Sequence, residues 1–576
     1  MSVHTLFNKE INSYISGTVQ VSENRTFSQY DLIKRIDLFA NKHYPTGDTD
    51  SQGNYKHWFE IQESRINGEV KNVDFDSKDI FAYSEFKKDA FPVLITNIFL
   101  HKFLRDNGKS EEINDALEQG SGWGNVIWKK VGKDYETLDL RNTYVINQTA
   151  KTLKDTPVIE RHILSPKDLR AKKGVWDDEA IEYTLDNFTN KFFKQTKDST
   201  PESKSIPYYE IYERNGEISE KELFEAQKKK GGDESKFVFA KIVLAGLSDN
   251  QNARVLFADE VNPDEIYKEY HRGPYKGRWF REGLYELLFD VQIRSNEVGN
   301  QLARGLEWAS KIIFVSADKL VVQNAMTDLL NGDIIVSSSL TQIDVRMRGF
   351  DQLIAEWNRL LQLANEISNS FEVVQGQTQP SGTPFRLVER LNLNANKLFD
   401  RLREKFAIPY RELFNEWILP PMLAELKTQD IISLSADSEY FSRLALWQVD
   451  SWYRDNLIAL GPHSAEQASF IKQAKLEELL ENETLFQELQ REAFKSFKPR
   501  VEVIIHGESV GLNEELESLA TFIQLEADPI RRRALIEIAM QKKGIDVAGL
   551  PKTPPNQQLA AAPTQTKEPR LAEATA

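Results

Sequence analysis

The side chains able to do chemistry are scattered along the chain. Eight histidines (His4, His43, His57, His101, His162, His271, His463, His506) stand far apart, with no HxH or HExxH pair to place two imidazoles on one helix face. Acidic neighbours such as Asp177–Asp178 and Glu514–Glu515 suit helix caps better than a metal site. The chain has no cysteine, which excludes thiol nucleophiles, disulfides and cysteine-ligated zinc. No GxxxxGK(S/T) occurs; the nearest imitation, 273–278 (GPYKGR), has the wrong spacing and no hydroxyl for magnesium. The glycines of 120–124 (GSGWG) lead from a helix into a strand, the reverse of a phosphate cradle, and read as a turn. The expectation is a non-enzyme without cofactor or metal.

Two basic clusters remain. Lys228, Lys229 and Lys230 precede Gly231–Gly232, where they suit a loop tip touching phosphate or a solvated surface. Arg272, Lys276, Arg278 and Arg281 lead into a long helix and suit DNA, a neighbouring subunit or plain solvent. The net charge is −15, which argues against tight nucleic-acid binding by the whole surface. It is compatible with an acidic wall that lets DNA pass. The densest apolar run, 91–100 (FPVLITNIFL), spans ten residues, too short for a bilayer. The first twenty residues lack a secretory signal, so no membrane partner is expected.

The elements that must position these residues follow from periodicity. The longest amphipathic segment is 280–316, with Leu284, Leu287, Leu288, Val291, Val298, Leu302, Leu306 and Ala309 at helical spacing. Its other face carries Glu286, Asp290, Arg294, Glu297, Asn300 and Arg304. Before it, helices are expected at 28–44 with Ser28 as N-cap, at 55–67, at 84–107, and at 110–119, the last stopped by Gly120. Strands are expected at 72–75, 125–131 and 135–140, with 143–146 and 158–164 extending the same sheet. Asp177 and Asp178 open a helix with Ile181, Leu185, Phe188 and Phe192 on one face. Strands at 208–212, 237–244 and 254–257 then form a β-rich unit inserted between two long helices. Beyond the opening helix come short strands at 334–337 and 342–346, helices at 350–371 and 385–419, the latter ended by Pro420–Pro421, and a strand at 501–506. From 549 onward the Pro/Ala/Gln-rich sequence is aperiodic and reads as a disordered tail.

This order of elements resembles phage portal proteins, the ring-forming subunits at one vertex of tailed-phage and herpesvirus capsids. The segment 120–130 (GSGWGNVIWKK), a charged strand pair, then 157–173 and the helix at Trp176–Asp177 are similar to the family's wing. Residues 208–261 resemble the clip, with Tyr209, Glu210, Ile211 and Tyr212 as its first strand. Gly283, Leu284, Gln292 and Asn296 (G-L-x7-Q-x3-N) look like the stem helix leaving the clip, and 366–384 like the helix–Gly–loop that follows. The resemblance implies an α+β, mostly helical fold. Its parts would be wing at 1–175 and 313–460, stem helices at 176–197 and 277–312, clip at 198–276, helical crown at 461–552 and tail at 553–576. A channel-facing tunnel loop would fall within 312–334 or 376–384. It implies a dodecameric ring of this chain at a capsid vertex, assembled in host cytoplasm and carried in the virion. The ring would be the conduit for double-stranded DNA. Its partners would be the major capsid protein, the terminase large subunit, which burns the ATP, and later a head–tail adaptor. Lys228, Lys229 and Lys230 are then candidates for clip docking or DNA contact. Arg278, Arg281, Glu286, Asp290, Arg294, Glu297 and Arg304 are candidates for lumen or subunit contact, and Tyr285, Trp308, Trp357 and Trp417 for ring contacts or core. Two rivals remain: another virion structural protein of the tail or baseplate, and a two-metal nucleic-acid enzyme using scattered carboxylates.

Overall fold

In chain order the helices are α1 (Val3–Ser16), α2 (Gln29–Ala40), α3 (Gln62–Val73), α4 (Ala90–Asp106), α5 (Lys109–Trp123), α6 (Pro166–Ala171), α7 (Asp178–Asn187), α8 (Glu220–Ala226), α9 (Leu284–Leu287), α10 (Phe289–Ser310), α11 (Phe350–Ser368), α12 (Phe385–Leu413), α13 (Leu419–Glu425) and α14 (Ala465–Glu481). The strands are β1 (Val19–Ser22), β2 (Arg25–Phe27), β3 (Ile80–Tyr83), β4 (Asn125–Val131), β5 (Asp134–Thr137), β6 (Thr143–Val145), β7 (Val158–Leu164), β8 (Asn190–Lys191), β9 (Pro207–Ser219), β10 (Phe237–Ala245), β11 (Arg254–Glu260), β12 (Tyr267–His271), β13 (Ile313–Val315), β14 (Thr341–Ile343) and β15 (Arg500–Val503). The computed structural model describes residues 3–503 without 192–206, 316–340, 370–384, 426–448, 482–499 and some shorter stretches. The expected tail, most of the crown, the strand at 334–337 and nearly all of both tunnel-loop segments therefore lie outside the described residues. The mixed α+β class is plain.

The largest sheet runs β11-β10-β9-β7-β6, with β8 added on β9. Side chains alternate across it, as strand geometry requires. One face (Ile159, Ile218, Ala240, Ile242, Leu244) is covered by Phe7 and Ile11 of α1 and Leu223 of α8. The other (Tyr209, Ile211, Val243, Ala245, Leu256) is covered by Leu169 of α6 and Ile181 and Leu185 of α7. A second sheet, β12-β4-β5, packs Trp128 and Tyr135 against Phe406, Tyr410 and Phe414 of α12 and the turn after it. The Trp128 and Tyr410 rings meet edge-on at 4.9 Å.

This topology corrects two expectations. Residues 143–146 and 158–164 do not extend the β4–β5 sheet; β7 pairs with β9 along its length, Glu160 opposite Glu213 and His162 opposite Ile211. The β-rich stretch is therefore not self-contained, because its strands share a sheet with β6 and β7. Its last strand, β12, returns to β4, with Tyr267 opposite Lys129 and His271 opposite Asn125. Sequence proximity favoured the β4–β5 hairpin, while β4's other edge is filled from far along the chain.

Helix boundaries move for identifiable reasons. The helix expected at 55–67 begins only at Gln62, because the irregular segment 57–61 is held against α10. The Phe59 N–H donates to Asn296 Oδ1 (2.9 Å), and the Ile61 and Gln62 N–H groups donate to Gln292 Oε1 (3.1 Å each). Asn300 Oδ1 accepts from the His57 N–H at 2.8 Å. Three side chains at i, i+4 and i+8 of one helix thus act as a rail for the segment that leads into α3. Helix α5 runs through Gly120 and Gly122 and stops at Gly124, whose φ of 84° needs glycine. Helix α7 ends at Asn187, so it is ten residues long rather than a strut over 176–197. Residues 72–75 begin inside α3, and the nearby strand is β3. The chain stays helical through Pro420–Pro421, which follow directly on a π-helical turn, Phe414–Ile418. Strand β15 pairs with β3, so residues 500–503 join the N-terminal part of the fold.

Candidate functional site

The loop from β12 to α9 and the helix α10 carry most of the sequence-derived candidates. Their frame is a set of close glycine contacts. A Cβ on Gly283 would lie 2.3 Å from the Gly122 carbonyl oxygen and 2.4 Å from the Gly124 nitrogen, and one on Gly122 would strike the Tyr285 ring at 2.8 Å. The glycines of 120–124 therefore serve backbone-to-backbone packing, and Gly283 is their partner.

Within this frame the basic stretch turns inward. Arg278 is 7% exposed and makes bidentate bonds to Glu286 (2.8 and 2.9 Å), with its guanidinium 4.4 Å from the Phe27 ring. Burial pushes the Glu286 carboxyl up against the pull of Arg278. Arg281 is 4% exposed and donates to the carbonyls of Arg278 and Lys151. Arg278 and Arg281 are thus engaged inside the subunit, which corrects the expectation that they face a lumen or neighbour; Glu286 pairs with Arg278 and stays partly exposed. Tyr285 and Trp417 are buried, and Trp357 packs edge-on against Phe59 at 5.1 Å; these three are core. The side chain of Trp308 lies outside the described residues.

The remaining charged candidates are on the surface. Asp290, Arg294, Glu297, Gln301 and Arg304 form an exposed stripe along α10, in steps of four, three, four and three. Arg294 pairs with Glu297 at 2.9 Å. Leu306, expected to be buried, is exposed on the opposite face, near the end of the helix. Elsewhere on that face Gln292, Ser295, Asn296 and Val298 are buried.

Lys228, Lys229 and Lys230 follow α8 and are exposed. Lys228 adopts a left-handed conformation (φ 58°) that ends the helix. Its ammonium lies 2.8 Å from Asp177, the residue that caps α7. That contact, ahead of the backbone donors, holds the Asp177 carboxyl below its ordinary value.

The most concentrated chemistry was not singled out in the sequence. Where the two sheets meet, Lys129 of β4 bridges Glu160 of β7 and Glu213 of β9, at 2.8 Å each, and Lys241 of β10 reaches the same Glu213 oxygen at 2.8 Å. The Tyr267 hydroxyl of β12 donates to Glu160 and accepts from Asn215 (2.7 Å). His162 lies 3.3 Å from Glu160 and 3.7 Å from Glu213. Burial alone would lower the His162 ring, but the two carboxylates outweigh it and raise its pKa to about 9. Burial likewise pushes Glu213 up, and Lys129, His162 and Lys241 more than reverse this, holding it well below the usual carboxylate range. Glu160 and Glu213 face each other directly across the strands, so the buried cation is what makes their pairing tolerable. The sequence signal is a run of three polar residues inside each strand, Glu160-Arg161-His162 and Glu213-Arg214-Asn215, whose alternate members point into the cluster.

Two cavities lie nearby. An open cleft of about 520 Å³ is lined by Asp37, Glu112, Asp115, Glu136, Asp139 and Arg141 among others, and one of about 220 Å³ includes Lys154, Tyr267, Lys268 and Glu412. Among the described residues no three His, Asp or Glu side chains are grouped to hold a metal ion. One sequence pattern qualifies the expectation of a non-enzyme: 507–511 (GESVG) has the GxSxG spacing of a hydrolase elbow. It lies outside the described residues, and the strand just before it, β15, belongs to a two-stranded antiparallel sheet rather than the parallel sheet such an elbow requires. No described helix is long and apolar enough to cross a membrane. No family model matches the sequence, and no curated protein matches it.

Proposed function

We propose that the chain is a portal protein, forming a homo-oligomeric ring at a capsid vertex through which double-stranded DNA is packaged and released. The observation that carries this reading is the solvent face of α10. Its opposite face is locked to 57–62 by buried amides, while Asp290, Arg294, Glu297, Gln301 and Arg304 present alternating charge to solvent. A ring repeats one heterologous contact around its axis, and a rigid helix with a stripe of mixed sign suits such a contact. The acidic net charge of −15 favours a wall on which DNA finds no deep well. Terminase and adaptor docking would fall to the loop at 227–236, with its three lysines and two glycines.

Negative-stain microscopy with mass photometry of the purified chain tests the proposal. Rings with a central hole wide enough for a DNA duplex are expected. A monomer at micromolar concentration refutes it, and a filament or spike without a through-hole favours a tail or baseplate component instead.

A further inference from the structure

Most cations between β12 and α9 have carboxylate partners: Arg272 with Glu69, Lys276 with Glu282, Arg278 with Glu286. Arg281 differs. Its guanidinium donates to carbonyl oxygens and lies 4.4 Å from the Tyr275 ring. Glu269 attracts it at longer range, but that carboxylate is already bonded to His271 and Trp279. From the other side α12 brings in Lys405, whose Nζ donates to the carbonyls of Arg272 (3.0 Å) and His271 (3.4 Å). Arg401, one turn earlier on α12, is exposed. A Cβ on Gly273 would lie 3.6 Å from Arg281 Cβ, so Arg281 and Lys405 contact adjoining parts of the segment 271–273. Burial first, and then the charges of Arg401, Arg272 and Arg281, lower the Lys405 pKa. Among the described residues no carboxylate lies within ion-pair distance of Lys405, whereas Arg272 beside it is paired with Glu69.

We propose that Lys405 and Arg401, with Arg281 behind them, form a binding site for a backbone phosphate of nucleic acid. A half-buried ammonium among guanidiniums is costly unless an anion joins it. A phosphate accepts from an ammonium and a guanidinium approaching from different directions, whereas a planar carboxylate is satisfied by one guanidinium fork. The carbonyls of residues 271 and 272 hold the Lys405 head in place, so the site is formed before the ligand arrives. The source of the phosphate, duplex DNA, rests on the portal reading; the site itself does not.

The test is fluorescence anisotropy of a labelled DNA duplex against salt, with the full chain and with Arg401→Gln and the Lys405→Gln/Arg401→Gln pair. Each lost phosphate contact lowers the slope of log affinity against log salt by about 0.9. The single variant is expected to lose about one unit and the double about two, with Lys102→Gln, an exposed control on α4, unchanged. The exposed Arg401 variant keeps the test decisive if Lys405→Gln fails to fold. An Arg401→Gln slope equal to wild type overturns the site, as does absence of duplex binding by the wild type at 50 mM salt, a condition chosen as roughly the low end where such contacts are strong. Binding of a polyglutamate peptide that the double change abolishes, with the DNA slope intact, also overturns it, in favour of an acidic protein partner. Mass photometry of the same samples separates the two readings. A falling slope in a monomer keeps the site and refutes the portal, and an unchanged slope in a ring does the reverse.

Discussion

Replacing Gln292 by Leu tests whether the α10 rail holds the segment before α3. Gln292 is fully buried; its Oε1 accepts the Ile61 and Gln62 N–H groups, and its Nε2 donates to the Phe59 carbonyl and to Asn296 Oδ1 (3.0 Å). Leucine conserves volume and adds no donor or acceptor. The Gln62 N–H loses its acceptor, while the Ile61 N–H keeps the Phe59 carbonyl at 2.9 Å, so the cost is about 1–3 kcal/mol. The cost falls on local opening of 57–62, so hydrogen exchange is the direct assay. Amide exchange there should accelerate by at least about fivefold, the equivalent of the lower bound. Strand β9, in the other sheet, should keep its protection. Glu297→Ala, on the exposed face, serves as control and should shift stability by less than about 1 kcal/mol. Unchanged exchange at 57–62 in Gln292→Leu, or equal acceleration everywhere, would refute the rail.

Other outcomes follow from the same geometry. Gly283→Ala places a Cβ 2.3–2.4 Å from two backbone atoms, so it should cost more than about 3 kcal/mol, read as a lower melting temperature or loss of soluble protein. His162 has a pKa raised from 6.5 to about 9, so it binds more protons folded than unfolded. Its contribution is fully present below about pH 6.5 and is lost as pH rises through 9. Urea midpoints should therefore fall between pH 7 and 9.5, by an amount on the order of 3 kcal/mol, and His162→Gln should flatten that slope. Lys129→Met leaves Glu160 and Glu213 facing each other in the interior and should cost about 3–5 kcal/mol by thermal or chemical melting, part of it recovered by adding Glu160→Gln. Changing Lys228, Lys229 and Lys230 together to Ala should leave assembly and melting nearly unchanged, because the Lys228–Asp177 pair is exposed, while weakening terminase docking in a pull-down. Loss of assembly in that variant would remove the three lysines from the docking loop.

Local signals were legible in the sequence and long-range ones were not. Ser28 as the cap of α2, β4 at Asn125–Val131 and the start of α7 at Asp177 follow from residues within a turn of each other. The placement of β7 beside β9, and of β12 beside β4, depends on partners far along the chain. The start of α3 was misplaced because amphipathic spacing at 55–67 competes with bonds from α10 that no local pattern reveals. Arg278 and Arg281 looked available because a basic run reads as surface, yet Glu286 and nearby carbonyls draw them inward. The G-L-x7-Q-x3-N spacing has an internal use: Gly283 allows the backbone crossing, and Gln292 and Asn296 are two of the three rail amides.

The pairing of β4 with β12 joins segments about 140 residues apart, and this has a consequence during synthesis. When α5, β4 and β5 leave the ribosome, β4 has one edge satisfied and the other open, with Val126, Ile127 and Trp128 along it. At cellular elongation rates β12 follows on the order of ten to thirty seconds later. For that interval the strand offers an unpaired row of backbone donors and acceptors to any similar edge, including that of another nascent copy. Closing the gap costs loop entropy before any contact repays it. A chaperone that shields this one edge should raise the yield of native chain more than any other form of folding help.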